Sequence, residues 1–191
     1  METDVTKKLF TVDEYHRMGE AGIFHPEEHV ELIDGEIIEM SPIGYRHTLC
    51  VNRGNTFFVR AFGQRALVGP GAPVRLSDWT EPEPDIVVYK PSDDFYAKRR
   101  ATIADILFLV EVADSSLSYD QNIKVPRYAA AGIMEVWVGD LQNDLLHVYR
   151  TPAGEAYRTV LIYRPGDSVS PVAFPDIAFR VDELLSTDCE E

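Results

Sequence analysis

The chain is poor in cysteine: only Cys50 and Cys189 occur in 191 residues. Two isolated thiols make no disulfide framework, so a reducing, cytoplasmic setting is expected. Long apolar runs are missing too. The longest, Ile103 to Val112, is broken by Asp105 and falls far short of the roughly 20 residues that cross a bilayer. The opening METDVTKKLF has no apolar core of about 7 to 15 residues, so neither a signal peptide nor a membrane role is expected. Basic residues are scarce. Lys and Arg number 18 against 32 Asp and Glu, a formal net charge of -14. Such a chain repels polyanions at long range, whereas a dedicated nucleic-acid binder usually shows a basic footprint. Composition alone therefore argues against strong non-specific binding to DNA.

Several chemical signatures are also absent. His16, His25, His29 and His147 show no metal-ligand spacing, and the cysteines are isolated, which leaves no zinc site. No Gly-x-Gly-x-x-Gly or Walker-type loop occurs; Gly69-Pro70-Gly71 is a turn. Ser115, Ser116 and Ser118 lack the nucleophile-elbow pattern of a serine hydrolase. What remains is a globular composition, 45% hydrophobic and 26% charged. One domain over residues 1–185 is expected, with a frayed acidic tail over 186–191.

Thr11-Val-Asp-Glu14 is a capping box. It starts a short helix that Gly19 or Gly22 ends. Glu31 to Met40 reads as a hairpin turning at Asp34-Gly35. Tyr45 to Phe62 has helical spacing of its apolar residues, despite Gly54. Strands are expected at 66–68, 74–76, 85–89 and 105–112. A helix over 119–131 closes at Gly132; Pro126 fits its first turn or bends it. Further strands are expected at 135–138, 145–150, 156–163 and 168–172, then a short helix at 181–185. The segment 90–100 is a polar loop. The pattern predicts an α/β (α+β) core with a mixed β-sheet flanked by helices.

Two acids stand in apolar company. Asp85 opens Ile-Val-Val-Tyr, and Glu111 sits inside Leu-Phe-Leu-Val-Glu-Val. A buried carboxylate costs several kcal/mol unless paired or metal-bound. Strand alternation puts Glu111 on a face with Leu109 and Ala113, and Asp85 with Val87 and Tyr89. If the two strands are neighbours, the acids converge on a hard-oxygen site suited to Mg²⁺ or Mn²⁺. Taken singly, each has a plainer explanation: Asp85 as a solvated strand-start residue, Glu111 as a salt-bridged or strand-end acid. Lys124 follows on the next helix and can reach back to stabilise charge on a phosphate, or stand solvated at the surface. Glu31 is a further candidate acid, or ordinary strand-edge polarity. His47, near a helix start, reads as a base, a substrate contact or a packing residue. Arg46, Arg53 and Arg60 share one helix face, and Lys98-Arg99-Arg100 forms a second basic cluster; either can track a phosphate backbone or simply face water.

The order Glu31, Pro84-Asp85, Glu111-Val112, then Tyr119-Asp120 with Lys124, resembles the Uma2 family, restriction endonuclease-like proteins of the PD-(D/E)XK nuclease superfamily. ELIDGEIIEMSP at 31–42 with His47 after it, PEPDIVV at 82–88, and LVEVADSSLSYDQNIKVPRYAAAGIMEVWVGD at 109–140 carry the likeness, which runs from about Phe10 to Leu185. It implies a restriction endonuclease-like fold. It implies metal-binding by Asp85 and Glu111, with Glu31 as an extra acid. The general pattern places lysine two positions after the second acid; here that position is Ala113, and Lys124 resembles a migrated substitute. The activity implied is Mg²⁺- or Mn²⁺-dependent hydrolysis of phosphodiester bonds in DNA. A homodimer is expected by analogy with nucleases that pair to cut both strands. Two other readings stay open. A non-catalytic binding or assembly module on the same fold suits the net charge. A metal-free carboxylate-pair glycosidase is disfavoured by the lysine and the nuclease-like phrases.

Overall fold

The computed structural model describes residues 6–185; Cys189 and the expected tail at 186–191 lie outside them. The chain divides into two compact units. The first takes the chain up to Pro42 together with Arg75–Pro82; the second takes Ile43–Val74 and the chain from Glu83 onward.

In the first unit, helix α1 (Val12–Glu20) begins with the expected capping box. The Thr11 hydroxyl accepts from the Glu14 N–H, and the Glu14 carboxylate accepts from the Thr11 N–H. Gly22 follows its end with φ +71°. Strands β1 (Val30–Ile33) and β2 (Glu36–Glu39) pair antiparallel across Asp34-Gly35. Both turn residues have positive φ, 52° and 78°, the condition a tight two-residue hairpin imposes. The segment expected as a strand at 74–76 is not one. Arg75 is tied by its guanidinium to Asp13 and Asp78, and the Leu76 N–H donates to the Thr80 carbonyl in a turn. Its backbone groups are thereby taken out of any ladder. One bridge, Leu32 with Glu81, attaches the segment to β1.

The second unit is built on helix α2 (Tyr45–Phe62) and a six-stranded mixed sheet. The strands are β3 (Leu67–Pro70), β4 (Ile86–Tyr89), β5 (Ile106–Ala113), β6 (Glu135–Asp140), β7 (Leu145–Ala153) and β8 (Ala156–Tyr163), adjacent in that order. All pairs are antiparallel except β5 with β6. A parallel pair needs a long crossover, and the helical segment between β5 and β6 supplies it. β5 is buried almost throughout, which is why its sequence is a continuous apolar run instead of an alternation.

The core lies between α2 and one sheet face. Phe58 and Phe62 of α2 meet Phe108, Trp137, Phe174 and Phe179 at ring separations of 4.4–6.0 Å. Gly54 makes this approach possible. A Cβ there would stand 3.1 Å from Ile86 Cδ1 on β4, so the helix gives up roughly 1 kcal/mol of propensity for closeness. Cys50 is buried in this core, and burial pushes its thiol up to about 12.

The expected helix over 119–131 is three pieces: α3 (Leu117–Tyr119), a π turn at Asp120–Lys124, and α4 (Val125–Ala131), closed at Gly132. Pro126 lies in the first turn of α4. It has no N–H to give, and the Val125 N–H before it donates five residues back to the Asp120 carbonyl. Of the last expected strand only β9 (Ser168–Val169) forms. It pairs with β10 (Phe179–Arg180), a partner too short to show a period in the sequence. Helix α5 (Val181–Leu185) ends the described chain.

Candidate functional site

β4 and β5 are neighbours in register Ile86 with Val110. One step further along the two antiparallel strands sets Asp85 across from Glu111. The Val112 N–H donates to Asp85 Oδ2 at 2.7 Å, fastening the carboxylate to the next strand. On its other side, Asp85 Oδ1 meets His47 Nε2 at 2.9 Å. His47 is the third residue of α2, so the Gly54 contact that seats α2 on β4 also sets this pair. Burial lowers the pKa of His47. The hydrogen bond and charge of Asp85, with the charges of Asp120 and Asp114, outweigh that and leave it raised. His47 Nδ1 is buried and has no hydrogen-bond partner among the described residues.

Glu111 is 3% exposed and Lys124 is 3% exposed, with Lys124 Nζ 3.3 Å from Glu111 Oε1. The Tyr128 hydroxyl donates to the same oxygen at 2.5 Å. The π turn explains how the chain puts Lys124 there. Asp120 and Lys124, at its two ends, are both buried, while Asn122 between them is exposed. Lys124 closes the π turn and Tyr128 follows on α4, and both meet Glu111 on the sheet face that carries it. The Ser116 hydroxyl donates to Asp120 Oδ2 at 2.6 Å, aiming a third carboxylate inward.

The other buried acids of this unit contrast with these. Glu135 accepts from Trp137 Nε1 at 2.8 Å, from Arg150 Nε at 2.8 Å and from the Val172 N–H at 2.7 Å. Asp140 accepts from Gln142 and Asn143 N–H groups in its own turn. Both are locked into the framework.

The structure thus brings together Asp85, Glu111 and Lys124, and adds His47 beside Asp85. Glu31 lies on β1 in the first unit, buried, with Ile38 opposite it. Tyr128 and Asp120 were given no role by sequence reasoning. A tyrosine beside Ala-Ala-Ala reads as core, and the one available signal was spacing, since Asp120, Lys124 and Tyr128 recur every fourth residue. The basic clusters are partly committed. Arg99 makes a two-pronged pair with Asp105, and Arg46 donates to the Leu141 carbonyl at 2.7 Å. Lys98, Arg100 and Arg60 are exposed.

Among the described residues no three His, Cys, Asp or Glu side chains converge as a ready-made metal cage. Mg²⁺ does not require one. It is usually held by one or two carboxylates, with water and substrate phosphate oxygens completing the octahedron. Asp85 and Glu111 fit that mode, since both are hard oxygen donors. Each oxygen of Asp85 accepts one hydrogen bond and keeps a second lone-pair site.

No curated protein matches the chain. Among solved structures, it is similar to "a putative nuclease belonging to DUF820" from Anabaena variabilis. The TM-score is 0.71 and the identity 17%, over 93% of this chain and 98% of that one. At that identity the likeness shows the fold, which is restriction endonuclease-like. The family model of Uma2, described as "Putative restriction endonuclease", matches residues 12–182, nearly the whole described chain, and the chain belongs to the Uma2 family.

Proposed function

We propose that this chain is a divalent-metal-dependent endonuclease that hydrolyses phosphodiester bonds in DNA. The observation that carries the reading is the facing pair Asp85 and Glu111 on neighbouring strands, with the Lys124 ammonium buried against it. Asp85 and Glu111 would hold Mg²⁺ or Mn²⁺, and Glu31 is assigned as an additional acid on the family's pattern. The ion would supply an acidified water and offset the phosphate's charge. His47 and the Val112 N–H hold the Asp85 carboxylate in one orientation. Tyr128 does the same for Glu111. Lys124 donates its N–H groups to the oxygens on which charge builds as water attacks phosphorus, or orients that water. Exposed Lys98, Arg100 and Arg60 offer contacts to the phosphate backbone. The second reading, a binding or assembly module on the same fold, is favoured by the net charge of -14.

Supercoiled plasmid incubated with purified protein and Mg²⁺ or Mn²⁺ decides between them. The proposal expects metal-dependent nicking, reduced about 100-fold or more in Asp85→Asn and Lys124→Met. Nicking lost in Asp85→Asn alone rejects the role of Lys124. Absence of nicking by folded protein that also binds no Mn²⁺ selects the binding module.

A further inference from the structure

The two edges of the six-stranded sheet are treated very differently. β3, at one edge, has four residues and ends in Gly69-Pro70; shortness and proline are ordinary ways to blunt an edge. β8, at the other edge, runs for eight residues with no proline, lysine or acid in it. Its centre is apolar and open to solvent: Val160 is 52% exposed, Leu161 36% and Ile162 49%. Val160 and Ile162 point to one sheet face and Leu161 to the other, so the apolar surface wraps the edge. Among the described residues no further strand pairs with β8. A long, apolar, unprotected edge invites strand pairing.

We propose that β8 is a dimer interface, where two copies of this chain pair their β8 strands antiparallel about a two-fold axis and join their sheets into one. Charge selects the occupant. With 32 acids to 18 bases, two copies repel wherever acids meet. Yet β7 and β8 together carry no Asp or Glu; their only charged side chains are Arg150 and Arg158, with Glu155 confined to the turn between them. Arg150 is already paired with Glu135. This outer margin is therefore a place where two strongly acidic molecules can meet without opposing acids. An antiparallel edge is also self-complementary under a two-fold axis, the commonest symmetry of homo-oligomers. The proposal does not depend on the nuclease reading.

Sedimentation equilibrium at tens of micromolar tests it. The expected mass is twice the 21.6 kDa of one chain. Val160→Lys/Ile162→Lys, which sets lysines against lysines across the axis, should return the single-chain mass with its circular dichroism unchanged. Val172→Lys, at an equally exposed position outside β8, should remain a dimer. Hydrogen exchange on the unaltered protein gives a readout that needs no variant: the outward-pointing amides among Val160 to Ile162, those not bonded to β7, should lose protection on dilution. A single-chain mass for the unaltered protein, a dimer that survives both lysines, or edge amides indifferent to dilution would each overturn the proposal.

Discussion

At Glu111 one carboxylate oxygen takes a hydrogen bond from Tyr128 and faces the Lys124 ammonium, all three out of water. Removing a partner from a buried charge leaves a desolvated group, which costs more than the bond itself is worth. Tyr128→Phe should therefore destabilise the fold by about 1–3 kcal/mol. Lys124→Ala should cost about 3–5 kcal/mol. Urea unfolding midpoints check both, and equal losses for the two would contradict this ordering. The acids themselves were legible in the sequence because a carboxylate inside Leu-Val-Glu-Val or before Ile-Val-Val is costly unless it has a purpose. Of their partners, Lys124 was expected within reach of the acids, but Tyr128 and the pairing of His47 with Asp85 were not. His47 is far from Asp85 along the chain, and only the seating of α2 on β4 through Gly54 brings Nε2 to it.

The start of α1 was the most legible feature, because its cap is chemistry local to four residues. The Thr11 N–H, then Lys8, hold the Glu14 carboxyl down at about 2 against an ordinary 4.5. A depressed carboxyl contributes stability above its unfolded value and loses it as pH falls through the folded one. The stability gap between the unaltered protein and Glu14→Gln should thus be full at pH 7, shrink below about pH 4.5 and close toward pH 2. Thermal or urea unfolding across that range measures it, and a gap that persists at the acid end would contradict the cap. The middle of a helix is harder to read. Pro126 marked a disturbance before α4, but the choice of an i→i+5 bond at Asp120–Lys124 is made by packing on the sheet. That choice turns Asp120 and Lys124 inward together; their four-residue spacing is equally that of an ordinary helix and does not announce the π turn. The segment at 74–76 failed for the opposite reason. Its apolar–polar alternation suits a strand, but Arg75 is held by Asp13 and Asp78 and its backbone is drawn into a turn.

At the scale of the molecule, the α/β class with a mixed sheet followed from counting apolar runs. The strand order did not, since neighbours such as β4 and β5 are separated by a polar loop and any order fits the composition. The net charge of -14 remains the strongest physical argument against DNA as a partner, and the facing carboxylates the strongest for it. Under the proposed nuclease reading, a bound divalent ion would reconcile the two by offsetting acids where a substrate phosphate would come. The nuclease reading therefore rests on whether Asp85 and Glu111 bind such an ion. Mn²⁺ titrated into the unaltered protein, Asp85→Asn and Glu111→Gln, followed by electron paramagnetic resonance of the free ion, measures this directly. A stoichiometric site is expected in the unaltered protein, and either substitution should abolish it. Mn²⁺ uptake unchanged by both substitutions, or none in the folded unaltered protein, would contradict it.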